Sequence, residues 1–301
     1  MTLVLGPVLF KWSADKLRDF YFRIADEAPV EVVYLGEVVC AKRWPFLAPH
    51  IPQLVARLQT AGKQVVLSMP ALIANDREMA EARALAADGE LMIEINDISA
   101  AALSAGRPHA IGPYINVYNE ATLGYFERRG AVRVCLPPEL PGKSLAVLAH
   151  AAKATLELQV FGRLPLAISS RCFHARAHGL HKDSCRFVCG QDPDGLTVRT
   201  LDAESFLAIN GTQTLSYSCV NLARELVELR TLGFGAFRLS PQDCDMVAVA
   251  HLFAGVLDDR HTGAEASLRL RELLPHLDWS NGFFHAAEGR RFLVNNDRGG
   301  E

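Results

Sequence analysis

Residues 64–97, QVVLSMPALIANDREMAEARALAADGELMIEIND, decide the fold class. Residues 64–70 form an apolar, β-branched run that reads as a strand. Residues 75–87 carry a helical period, and residues 91–97 form a second apolar run. A strand, a helix and a second strand in so few residues make a crossover unit, and repetition of that unit points to parallel strands with helices outside them.

The unit recurs on both sides. Toward the N-terminus, residues 3–10 and 30–37 (VEVVYLGE) read as strands. Helices are expected at 13–26, with Ser13 as N-cap, and at 49–61, closed by Gly62. Toward the C-terminus, strands are expected at 109–117, 132–136, 156–160, 164–169 and 236–239. Helices are expected at 119–129, capped by Asn119, and at 144–155, 220–232, 242–257 and 264–274. Residues 196–202 and 206–218 read as short antiparallel strands, with Asn210-Gly211 as a hairpin-type turn. The polar tail NNDRGGE reads as frayed.

Seven or eight such units suit an α/β fold of the parallel (β/α) TIM type, incomplete or distorted, better than a doubly wound sheet. No Gly-x-Gly-x-x-Gly follows the first strand, which removes the main argument for a dinucleotide fold. The 301 residues are read as a single barrel-like domain spanning 1–301, with an insertion at about 170–218. Half of the chain is hydrophobic, so a large core is easily built. The formal charge of −3 gives no long-range attraction to nucleic acid or an anionic membrane. No apolar run approaches the roughly 20 residues of a membrane span, so no transmembrane segment is expected. The N-terminal run lacks the charged start and cleavage site of a signal peptide. A cytoplasmic location follows as the expectation.

The chemistry concentrates in residues 169–190, SSRCFHARAHGLHKDSCRFVCG. Cys172, Cys185 and Cys189 stand there among His174, His178, His181 and several arginines. In a reducing compartment a local cysteine group points to metal or redox chemistry more than to disulfides. Soft thiolates match the iron of an iron-sulfur cluster, and four complete the usual set. In a parallel barrel the working face lies at the C-terminal strand ends. Glu37, Cys40, Asn96, Asp97, Asn116, Tyr118 and Cys172 all fall there. Cys40 is therefore the expected fourth thiolate, beside Lys42 and Arg43, whose charge favours the thiolate form. Arg171, Arg176 and Arg186 are read in the same way.

Zinc stays open, because His174 and His178 are spaced i, i+4 and Cys-His sets suit it. Close Cys-x2-Cys pairs are absent. Cys135 reads as core within a strand. Cys219 and Cys244 fall near expected helix starts and read as packing. Glu37 is expected to point into the barrel mouth, and Asp97 to cap a helix. Arg238 suits either a bound carboxylate or an internal salt bridge. Phosphate-loop, zinc-protease and serine-hydrolase signatures are all missing.

The segments VVYLGEVVC and QVFGRLPLAISSRCFHARAHGLHKDSCRFVC resemble the collagenase-like peptidase family, and within it the members that serve ubiquinone biosynthesis. The resemblance runs from KWSADKLRDFY to the helices beyond Gly235. It implies a 4Fe-4S cluster held by Cys40, Cys172, Cys185 and Cys189. It also implies a heterodimer with a homologous subunit, and a role in oxygen-independent hydroxylation of a prenylated aromatic quinone precursor. The family's peptidase label would then describe ancestry. A collagenase-like peptidase and a zinc-stabilised non-catalytic scaffold are the alternatives.

Overall fold

The computed structural model describes residues 1–294. Residues 295–301, expected to be frayed, lie outside them. Eight parallel strands close a barrel: β1 (Thr2–Leu5), β2 (Val32–Leu35), β3 (Gln64–Ser68), β4 (Met92–Ile95), β5 (His109–Ile111), β6 (Ala131–Cys135), β7 (Thr155–Ile168) and, from much later in the chain, Ala236–Leu239. That last strand pairs with β1 on one side and β7 on the other. The (β/α) TIM-type barrel expected from the sequence is present, and it is closed rather than incomplete. Irregularity is confined to register shifts at His109/Ala110 and Arg238/Leu239.

Between β7 and the closing strand lie β8 (Leu196–Arg199), β9 (Ser205–Asn210) and β10 (Gln213–Asn221). The closing strand is β11, and a two-residue β12 (Trp279–Ser280) pairs with β10. The sequence suggests two strand segments at 156–169, but β7 is continuous. Its first half is barrel wall, and its second half carries the antiparallel β10–β9–β8 sheet. Gly162, at φ +102, sits near the junction, where a Cβ would lie 2.6 Å from the Ser240 carbonyl oxygen. A second correction concerns Val220 and Asn221, expected in a helix. They extend β10, whose partners on β7 and β12 outweigh local propensity, and the helix begins at Leu226.

Helix ends follow their side-chain signals. Ser13 accepts from Lys16 N at 3.2 Å, and Asn119 from Thr122 N at 2.9 Å. Each satisfies a backbone donor that the first helical turn leaves free.

Side chains alternate across the barrel wall. Leu3, Leu5, Val33 and Leu35 join the main core beneath the helices. Val4, Val32, Tyr34, Val66, Ala110 and Ala236 form a separate apolar layer. A charged layer accompanies them. Arg238 Nη2 bonds Glu94 at 2.6 Å, and Arg238 Nε bonds Glu157. Tyr34 Oη donates to Glu157 at 3.1 Å, and Ser68 Oγ to Glu94 at 2.6 Å. Arg238 is thus engaged within the protein, so the salt-bridge reading of it holds.

Candidate metal centre

Beyond the C-terminal ends of β1, β2, β3 and β5, a small apolar cluster of Leu9, Val38 and Val39 packs with Cys40, Ala71 and Tyr114. The β9–β10 turn sits against it. Asn210, Thr212 and Gln213 are all buried. Asn210 Nδ2 donates to the Leu9 carbonyl at 2.7 Å, Thr212 Oγ1 to the Val39 carbonyl at 2.7 Å, and Gln213 Nε2 to Tyr114 Oη at 2.5 Å. A polar hairpin tip therefore covers this part of the barrel mouth. Gly211 takes φ +65 there, and a Cβ on it would meet Arg43 Nη2 at 2.6 Å.

The same turn carries the cysteine segment. His174 N donates to the Gly211 carbonyl, and Ser169 N to the Thr212 carbonyl. Cys172 is the N-cap of the short helix Phe173–Ala177, and its Sγ accepts from Ala175 N at 3.3 Å. Cys185 ends the 3-10 turn Lys182–Ser184, and Cys189 lies in the next, Val188–Gln191. Arg186 and Phe187, between these two cysteines, have φ of 49° and 53°. Two successive non-glycine residues in the left-handed region cost of order 1–3 kcal/mol each, which the surroundings must hold in place.

Cys40 follows β2 and precedes the turn Ala41–Arg43. Its loop touches the cysteine segment at several points. Lys42 Nζ donates to the Lys182 carbonyl at 2.9 Å and pairs with Asp183 at 2.7 Å. The rings of Phe46 and Phe187 meet edge to face at 4.8 Å, with Lys11 Nζ 4.1 Å above Phe46. Arg43, fully buried, reaches across. Its Nη1 donates to the Leu9 carbonyl and its Nη2 to Asn210 Oδ1, both at 2.9 Å. Its Nε has no hydrogen-bond partner. Cys40 and Cys189 are both near enough for their charges to act on this guanidinium, and Cys172 feels Arg43, Cys185 and Cys189. Cys40 thus shares one buried guanidinium with Cys189 and Cys172.

Burial pushes the Cys40 thiol up, and Arg43 pulls it back toward the thiolate. Burial also raises Cys172, opposed by the Ala175 N–H. Glu37 does not act in the mouth as expected. It is buried, and one oxygen accepts from Val39 N and Cys40 N at 2.9 and 3.0 Å, which fixes the turn that presents Cys40. Burial raises its carboxyl, against Arg43.

The other strand-end residues take structural or peripheral places. Asp97 caps Ser99 N and accepts from Ile73 N. Asn96 bonds the Met69 carbonyl and Glu94. Asn116 and Tyr118 are exposed, and Tyr118 bonds Glu139. Arg171, Arg176 and Arg186 are exposed, so the buried cation at the thiols is Arg43. Cys219 lies within β10 opposite Arg163 rather than at a helix start, and burial pushes it up to about 12. Cys135 is buried within β6, and Cys244 Sγ lies 3.6 Å from Met246 Sδ. Burial raises both thiols.

The spacing of the four thiols does not suit a single ion. One zinc with bonds of about 2.3 Å would draw its sulfurs to within roughly 4 Å of one another. Among the described residues no three of these cysteines have donor atoms all within 4.8 Å of one another. A cluster gives each thiolate its own iron, which spaces the sulfurs more widely.

The model of peptidase family U32 matches residues 12–291. The chain belongs to peptidase family U32. The matched span holds all four cysteines and every barrel strand but β1. The solved structures that match include two distant ones, both with a TM-score of 0.40. One is a chain of the tryptophan synthase complex from Pyrococcus furiosus, at 10% identity over 91% of this chain and 98% of that one. The other, from Coccidioides immitis, is a chain named for fructose-1,6-biphosphate aldolase, at 12% identity over 91% and 84%. At that distance they carry no argument about this U32 chain.

A cleft of about 540 Å³ opens beside Cys185. Ala41, Lys42 and Pro45 line one side, Arg77, Glu78 and Glu81 another, and Asp183 to Phe187, including Cys185, the third. Among the described residues no helix is long and apolar enough to cross a membrane.

Proposed function

We propose that this U32 chain is the UbiV-type subunit of an oxygen-independent hydroxylation system of ubiquinone synthesis. Cys40, Cys172, Cys185 and Cys189 would hold its 4Fe-4S cluster. It acts with a homologous UbiU-like subunit on a prenylated aromatic ring, in the cytoplasm, as one barrel unit carrying its insertion at about 170–218. The observation that carries this reading is the position of Arg43. One buried guanidinium faces Cys40 and Cys189, residues far apart in the chain, and keeps its Nε free of any other partner.

Such a cluster supplies single-electron transfer when bound, with no iron left open to substrate. The chain's own residues do the rest. Arg43 offsets the charge of gathered thiolates. The Ala175 N–H stabilises that of Cys172. The Phe46–Phe187 pair adds an apolar wall, while half-buried Cys185 faces the cleft. An electron partner would reach the centre from that side.

The test is anaerobic purification with iron, sulfide and zinc quantified. About four irons and four sulfides per chain are expected, as four thiolates imply. Cys185→Ala, at a half-exposed site, should lose the colour while the chain stays folded. One zinc per chain without sulfide, or iron retained in Cys185→Ala, would overturn the assignment. The family's name points to peptide hydrolysis as the second reading. Cleavage of collagen-like peptides by the iron-free protein would favour it.

A further inference from the structure

We infer that His174, His178 and Asp192 form a second metal site, distinct from the cysteines, for one divalent ion of the zinc type. His174 lies in the helix Phe173–Ala177 and is fully buried. Its Nδ1 is 3.2 Å from the Ile209 carbonyl oxygen, and its Nε2 is 2.8 Å from Asp192 Oδ2. His178, one turn later, stacks on it with centroids 5.6 Å apart and ring planes within 5°. One donor atom from each of the three residues lies within 4.8 Å of the other two.

The hydrogen bonding narrows what this group can be. A carbonyl oxygen only accepts, so a hydrogen bond to Ile209 requires the hydrogen on His174 Nδ1. Nε2 of the neutral ring then turns a lone pair toward a carboxylate oxygen, another acceptor. Transfer of the ring hydrogen to Nε2, a second proton, or a cation bound by both atoms once they part to about 3.3 Å resolves that contact. His178 weighs toward the cation, because it brings a third donor atom within 4.8 Å of the other two. A pair of His174 with Asp192 has no use for a second imidazole, whereas a metal ion does. A ligating histidine also commonly donates its other N–H to a backbone carbonyl, which fixes its tautomer and orientation, and Ile209 supplies that partner.

Two imidazoles and one carboxylate suit zinc, with a fourth position left for water. His178 is exposed and Asp192 half-exposed, so an ion has a route in. Placement suggests the consequence. His174 is two residues beyond Cys172, and Asp192 three beyond Cys189. The ion would tie the helix that begins at Cys172 to the turn that contains Cys189. None of its ligands is a cysteine, so it stands apart from the cluster reading.

The experiment equilibrates the anaerobically purified full chain with one equivalent of zinc and removes the excess by dialysis. Zinc K-edge absorption then reads the donor atoms, whatever iron is present. Retained zinc with a nitrogen and oxygen shell is expected. A sulfur shell would place the ion on the cysteines and overturn the inference, as would failure to retain zinc. His178→Ala changes an exposed side chain and leaves the His174–Asp192 contact intact. Its affinity should fall by at least the roughly 10–100-fold that losing an outer-sphere partner costs. Its unfolding midpoint in chelator should match that of the parent. Equal zinc affinity in variant and parent would overturn the inference.

Discussion

Arg238 and Arg43 are both buried, yet their surroundings differ at every contact. Arg238 bonds Glu94 and Glu157 and lies 4.2 Å over the Tyr34 ring. Arg43 bonds a backbone carbonyl and the Asn210 amide, has Glu37 at 3.9 Å, and leaves Nε without a partner. A buried charge is costly unless it is paired. Arg238 is paired twice, so its charge is consumed inside the barrel. Arg43 has a single carboxylate, Glu37, at 3.9 Å and otherwise bonds neutral groups, so part of its charge remains for the thiols around it. The lesson is that burial of a polar group does not mark a site. What marks one is a buried charge whose own neighbours leave it incomplete.

The sharpest way to break this contrast is Arg238→Met. It strands Glu94 and leaves Glu157 with Arg133 alone, at 3.5 Å; both carboxylates are 0% exposed, and removing one partner of a buried pair costs about 3–5 kcal/mol. Urea unfolding measures it, and a loss below about 1 kcal/mol would mean the two arginines are equivalent. Arg43→Met should cost the iron-free chain less, about 1–3 kcal/mol, because the Leu9 carbonyl keeps its bond from Asn210. Iron bound per chain should fall sharply in the same variant. Full iron retention would show that the charge is not used.

Gly211→Ala comes next. It places a Cβ at φ +65 and against Arg43 Nη2, at about 1–2 kcal/mol for the backbone alone. Loss of iron together with this destabilisation would confirm that the hairpin tip positions the guanidinium. The smallest effect belongs to His109, which begins β5 at the opposite rim. Its Nδ1 is 2.8 Å from the Arg107 carbonyl, and burial lowers its pKa below the usual 6.5. The folded chain keeps it neutral while the unfolded chain takes up the proton. Its contribution to stability is therefore complete above 6.5 and is lost as pH falls through the folded pKa. His109→Asn should flatten that part of the stability profile without altering iron content.

Much of the barrel was legible because the strand-helix unit of residues 64–97 repeats with little interruption. The Asn210-Gly211 turn was also plain in the sequence. Its destination over Leu9 and Val39 was not, since nothing local encodes a partner 201 residues away. Glu94 and Glu157 escaped notice because both faces of a barrel strand are buried, so alternation does not reveal which one holds charge. Val220 and Asn221 read as helix because their pairing partners lie elsewhere in the chain. The three clustered cysteines stood out by proximity, and Cys40 through its place after a strand. Lys42 and Arg43 were equal in the sequence. Only three dimensions separate Arg43, facing the thiols, from Lys42, which clasps Asp183. Asp192 has no motif around it and was missed.

The bond from Asn210 to Leu9 also sets an order of events. Barrel closure needs β11 beside both β1 and β7, and the hairpin tip can dock only where the first two strand loops already meet. Contacts so distant in sequence form slowly and late. A chain emerging from the ribosome therefore carries its first thiol exposed for most of its synthesis. Full enclosure of these sulfurs waits until the last barrel strand has been made.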